Sequence, residues 1–134
     1  MPLHLSRVAF ACRNLEDIAS ARDRFAITCV DGRRQGRITS RRTPRRELAG
    51  GSLYWIIAHH LVARQAILAI LPEGAGPGCE IRLSLDLVPV VPTPFRSHQG
   101  WRYLDAGRAP RDLLPGEEAL PPTLQRDLAT LGLA

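Results

Sequence analysis

"SLYWIIAHHLVARQAILAIL", residues 52–71, is the stretch on which the fold turns. Its first part, "SLYWIIAHH", is a strand by composition, and its unbroken apolar run implies burial on both faces. The second part, "LVARQAILAIL", reads two ways. Alanine, leucine and glutamine favour a helix, while Val62, Arg64, Ala66, Leu68 and Ile70 alternate imperfectly with Ala63, Gln65, Ile67 and Ala69. A strand is preferred because the loop "PEGAGPG" follows, and after it comes "CEIRLSLDLV". There Ile81, Leu83, Leu85 and Leu87 lie opposite Arg82, Ser84 and Asp86, a period-two pattern that predicts a half-exposed antiparallel strand over 78–88.

Upstream, "LHLSRVAFA" from Leu3 suits a strand that starts at a sheet edge and becomes buried. Asn14 is placed to cap a helix over 15–26, with Glu16 and Asp17 at the positive end of its dipole. "DGRRQG" is a turn-rich loop, "RITSRRT" a short exposed strand, and Pro44 opens a helical turn, "PRRELA", that stops at Gly50 and Gly51. Downstream, "PVVPTPFRSHQGWRYLDAGRAP" holds four prolines, which confines a central strand to "WRYL". Asp112 begins an acidic linker, and Pro121 or Pro122 opens a last helix with Leu124, Leu128 and Leu131 along one side.

These elements predict an α+β domain over residues 1–111 with a mostly antiparallel sheet that can curl into a small barrel, and one N-terminal helix. Residues 112–134 add the linker and a short C-terminal helix packed on the same domain. At 134 residues one core is expected.

All 18 basic residues are arginine, giving a formal net charge of +5 from groups that stay protonated and can fork onto phosphate or carboxylate. Seven of them fall between Arg33 and Arg46, so a local positive field is expected there. The three cysteines, Cys12, Cys29 and Cys79, form no C-x-x-C pair and read as small buried hydrophobes in a reducing compartment. No signal peptide and no membrane-spanning window is visible, which predicts a cytoplasmic chain with no membrane partner.

The blocks "GGSLYWII" at Gly50, "RQAILAI" at Arg64, "GWRYL" at Gly100, "APRDL" at Ala109 and the terminal "LATLGL" occur in one order along nearly the whole chain. In this the sequence resembles a bacterial family of short proteins classed as a domain of unknown function, and the resemblance brings no activity with it. The chain departs from that pattern by a shorter stretch between Phe25 and Arg37 and by "AHH" at Ala58, where a basic residue and a glycine are usual. In element order it is also similar to the small PUA-like barrels, which include RNA-binding and modified-base-binding domains, an analogy of pattern alone.

Arg41, Arg42, Arg45 and Arg46 read either as a phosphate-binding patch or as a solvated loop and turn. Tyr54, Trp55 and Trp101 offer rings for stacking unpaired bases or else fill the core, and on a strand Tyr54 and Trp55 face opposite ways. Arg64 and Gln65, in an apolar run, form either a structural ion pair, with Asp86 or Glu80 as partner, or a polar pair lining a pocket. Arg102 joins this set beside Trp101.

The binding reading is therefore a nucleic-acid module for single-stranded RNA, a modified base or another anionic ligand. The enzyme alternative needs a deep pocket joining His98, Arg102 and Arg64, and a third reading makes the C-terminal leucine stripe an interaction surface. No metal, disulfide, nucleotide cofactor or catalytic motif is expected, because none of their spacings is present.

Overall fold

The computed structural model describes residues 2–48, 50–114 and 117. In chain order these residues form β1 (His4–Val8), α1 (Leu15–Phe25), β2 (Ile27–Thr28), β3 (Arg34–Ser40), β4 (Ser52–Ile57), β5 (His60–Pro72), β6 (Cys79–Leu83), β7 (Val88–Pro94) and β8 (Trp101–Leu104). The strands join in the order β2-β3-β6-β5-β4-β1-β8, with β7 also on β5. β1 and β4 run parallel, and the remaining pairs are antiparallel. Among the described residues the result is an open mixed sheet with one α-helix, not a closed barrel: β2 and β8 end its strand path. It is nevertheless curled. Arg7 on β1 donates to the carbonyl of Thr39 on β3 at 3.0 Å, and Arg42, just past β3, reaches β8. Side chains thus bridge a gap that no backbone ladder closes.

Residues 61–71 lie within one strand, and its imperfect alternation has a structural cause. The register with β4 steps from Trp55↔Ala63 to Ile56↔Leu61, leaving Val62 as an extra residue. The register with β6 steps from Ile67↔Leu83 to Ala69↔Arg82, leaving Leu68 extra and half-exposed. Each bulge inserts one residue and turns the side chains beyond it to the other face. Val62 and Ala63 therefore both join the larger core with Leu5, Leu53 and Leu83, while Tyr54, Ile56, Leu61, Val90 and Leu104 form a second cluster on the opposite face. Ala58 and His59 make the intervening turn with φ of 49° and 61°, the left-handed pair that a two-residue hairpin requires.

α1 starts as expected. The Asn14 side chain accepts from the Asp17 N–H at 2.8 Å, and Asp17 Oδ2 accepts from the Arg13 N–H at 2.9 Å. Ile18 is its buried residue, and Arg22 ties the helix to the sheet by donating to the Leu85 carbonyl at 2.9 Å.

Two local expectations are corrected. The run over 78–88 is not one strand: β6 ends at Leu83, residues 84–87 leave the ladder, and the chain rejoins β5 as β7. β7 includes Pro89, Pro92 and Pro94 and, among the described residues, pairs with β5 on one side and with Asp112 by a single bridge on the other, so it is not a central strand. These prolines are tolerated because β7 keeps only a partial ladder with β5, while the Pro89 carbonyl accepts from Leu113 and the Val91 N–H donates to Arg111. The helical turn at Pro44 does not form; Gly51 instead closes a tight turn onto the Leu48 carbonyl at 2.8 Å. A Cβ on Gly51 would sit 2.1 Å from the Leu3 carbonyl oxygen, so the entry to β4 admits only glycine. The expected C-terminal helix lies outside the described residues.

Candidate nucleic-acid interface

The arginine-rich segment that follows β3 is clipped onto β8. Arg42 lays its guanidinium 4.0 Å from the centre of the Trp101 ring and donates to the Trp101 carbonyl at 2.9 Å. Trp101 Nε1–H answers by donating to the Arg42 carbonyl at 2.8 Å. The Tyr103 hydroxyl accepts from the Arg45 and Arg46 N–H groups at 3.0 and 3.1 Å, and Arg46 lies over the Tyr103 ring at 5.3 Å. Thr43 adds a bond to the Pro77 carbonyl at 2.8 Å. The segment is thereby held in one shape with Arg41, Arg45 and Arg46 exposed. No carboxylate partner accompanies these three among the described residues.

The aromatic candidates are placed differently from the arginines. Trp101 is 4% exposed and its ring carries Arg42, so it fastens the segment. Tyr54 is buried in the second cluster, its hydroxyl proton held more tightly than usual by burial. Trp55 is also buried, and its Nε1–H donates to Gln65 Oε1 at 2.9 Å, while Gln65 Nε2 donates to the Ser84 carbonyl at 2.8 Å. Gln65 thus satisfies its amide in the core and fixes the Trp55 ring. Arg102 is exposed on β8.

Arg64 does make an ion pair, but with a partner other than Asp86 or Glu80. Its Nε and Nη2 donate to the two oxygens of Asp112 at 2.7 Å each, and its Nη1 donates to Ser52 Oγ at 3.1 Å. This two-pronged geometry holds the Asp112 carboxyl below its ordinary range and raises the Arg64 guanidinium. Asp112 is available because residues 111–113 lie along β7, which no local pattern announces. Glu80 is engaged elsewhere, with Arg37 and with Arg82 at 2.7 Å.

Between α1 and the curled sheet lies a cavity of about 240 Å³. Trp55, Gln65, Gly36 and Leu83 line it from the sheet and Ile18, Ala21 and Phe25 from the helix, and Arg7, Arg22 and Arg37 contribute charge. Phe10 and Phe25, also lining residues, are 91% and 59% exposed. The sequence assigned no site role to Arg7, Phe10 or Phe25. A signal existed for the first, since Arg7 interrupts an apolar run much as Arg64 does. A second cavity, of about 490 Å³, runs between the arginine segment at Arg45 and Arg46 and the far half of β5.

Neither cavity is lined by His98, Arg102 or Arg64. His98 Nε2 instead lies 2.8 Å from the Oγ of the fully buried Ser6, and burial lowers its basicity. Among the described residues no three histidine, cysteine, aspartate or glutamate side chains gather as a metal site, and no helix is long and apolar enough to cross a membrane. No curated protein and no solved structure matches the chain. A sequence model described as "Protein of unknown function (DUF1489)" does match, over residues 5–134, and the chain belongs to that family.

Proposed function

We propose that this protein binds single-stranded RNA along its arginine-rich segment, with Arg41, Arg45 and Arg46 meeting phosphates. The observation that carries the reading is the clip itself. Three exposed guanidiniums, with no carboxylate partner among the described residues, sit on a segment whose backbone is fixed by Trp101, Tyr103 and Thr43. A rim held in place loses less conformational entropy on binding than a free loop does. Arg42 contributes by holding the segment, since its guanidinium is committed to Trp101. The exposed rings suited to stacking are Phe10 and Phe25, at the cavity that Arg37 and Ile38 also line as the chain enters the arginine segment. Unpaired nucleic acid suits this surface better than a duplex, because stacking needs free bases.

The test is a salt titration of binding to a mixed single-stranded RNA pool, comparing wild type with the Arg41→Ala/Arg45→Ala variant. Arg42 is kept, so that the segment stays clipped. Losing two phosphate contacts should flatten the slope of log K against log salt by about 1.4. Absence of binding at low salt, or an unchanged slope, would leave the segment as a solvated loop.

A further inference from the structure

The cavity under α1 holds an imbalance of charge that the fold does not resolve. Arg7, Arg22 and Arg37 line it, and among the described residues no aspartate or glutamate does. Arg37 is compensated by Glu80, and Arg22 is tied to the Leu85 carbonyl and to Asp23. Arg7 is half-buried between Trp55 and Trp101, its partners in register on the neighbouring strands. Among the described residues its guanidinium, with five N–H donors, has one bond, to the Thr39 carbonyl. The nearby thiols supply no counter-charge, because burial raises both Cys12 and Cys79 and keeps them neutral.

We infer that this cavity is a binding site for a compact carboxylic acid with an aromatic or branched apolar body, its carboxylate forked onto Arg7. A carboxylate matches the planar guanidinium with two parallel bonds, and low-dielectric walls strengthen the pairing. Ile18, Phe25, Ile38, Trp55 and Leu83 offer the body an apolar enclosure. The volume of about 240 Å³ falls below the roughly 300–1,000 Å³ typical of sites for drug-sized ligands, which favours a single ring or a short branched chain. Burial also depresses the Arg7 guanidinium, the direction expected of a cation that lacks its counter-ion. This inference shares the cavity at Phe25 with the RNA reading but rests on a different arginine, Arg7.

The probe is 3-phenylpropanoate, with 3-phenylpropanamide as its neutral counterpart, followed by tryptophan fluorescence and calorimetry on the full chain. Saturable binding of the acid, at least tenfold tighter than the amide, is expected. Arg7→Met should abolish that preference. Ala21→Leu, which fills the cavity from the helix, should weaken binding at least tenfold with the circular dichroism spectrum unchanged, and it decides the matter if Arg7→Met does not fold. Arg41→Ala/Arg45→Ala should bind the acid as wild type does, whatever happens to RNA. No saturable binding, equal binding of acid and amide, or unchanged affinity in Ala21→Leu would overturn the assignment.

Discussion

Arg7 and Arg64 stand on opposite faces of one sheet, and among the described residues a counter-ion accompanies only Arg64. Arg64 shares its face with Ser52, Tyr54 and Ser6, and the chain brings Asp112 across 48 residues to meet it with two bonds. Arg7 shares its face with Trp55 and Trp101, opens onto a cavity and, among the described residues, bonds to one carbonyl. A cation kept out of water for structure comes with a carboxylate, because the desolvation of the charge must be offset within the fold. One kept beside a cavity without a carboxylate suits a site completed from outside. The same contrast recurs along the arginine segment, where Arg42 is fastened to Trp101 while Arg41 and Arg45 are left to solvent.

The largest effects should show that both faces are core. Leu53→Ala on the face that carries α1 and Leu61→Ala on the other should each cost about 2–5 kcal/mol in urea unfolding, since both side chains are fully buried. A cost below about 1 kcal/mol at Leu61 would reduce the second cluster to surface.

Next comes the comparison of the two arginines. Asp112→Ala should cost about 1–2 kcal/mol, less than the 3–5 kcal/mol of a fully buried pair because its side chain is 44% exposed. Arg64→Met with Asp112→Leu should recover most of that loss. Arg7→Met should change stability by less than about 1 kcal/mol in either direction, as no carboxylate is left behind. Equal losses at Asp112 and Arg7 would break the contrast between a structural and a site arginine.

A smaller, pH-dependent term belongs to the histidines. Burial holds His4 and His98 below the ordinary value of 6.5, so the unfolded chain takes up protons first as pH falls. Their contribution to stability is complete above that value and is lost as pH drops through it toward the folded values. The Tm should therefore decline from pH 7.5 to pH 5, and His98→Gln should shallow the decline. The Arg64 bond to Asp112 acts lower, its contribution present above the ordinary aspartate value of 3.8 and lost as pH falls beneath it.

The smallest effects separate the arginines of the segment. Arg42→Ala should cost about 0.5–1 kcal/mol through the lost stack on Trp101. Arg41→Ala and Arg45→Ala should each stay within about 0.5 kcal/mol. A stability loss at Arg41 as large as that at Arg42 would mean that the whole segment is structural.

Much of the architecture is determined by the sequence itself. The Asn14 cap with Glu16 and Asp17 after it, the aromatic run from Ser52, and the "WRYL" strand each carry a local energetic preference that needs no distant partner to be expressed. Residues 61–71 leaned correctly to strand, although two bulges hid the alternation. Tertiary structure decided what local preference cannot encode. Prolines that argue against a central strand fit β7 because that strand carries only partial ladders. Asp112, rather than Asp86 or Glu80, met Arg64 because long-range pairing laid residues 111–113 along β7. Trp101 became a clip because the curl of the sheet brought Arg42 over it, and Arg7 came to line a cavity because α1 packs across that curl. A residue type states which interactions a side chain is able to make; which of them it makes depends on neighbours 50 or more positions away, and only the assembled sheet supplies those.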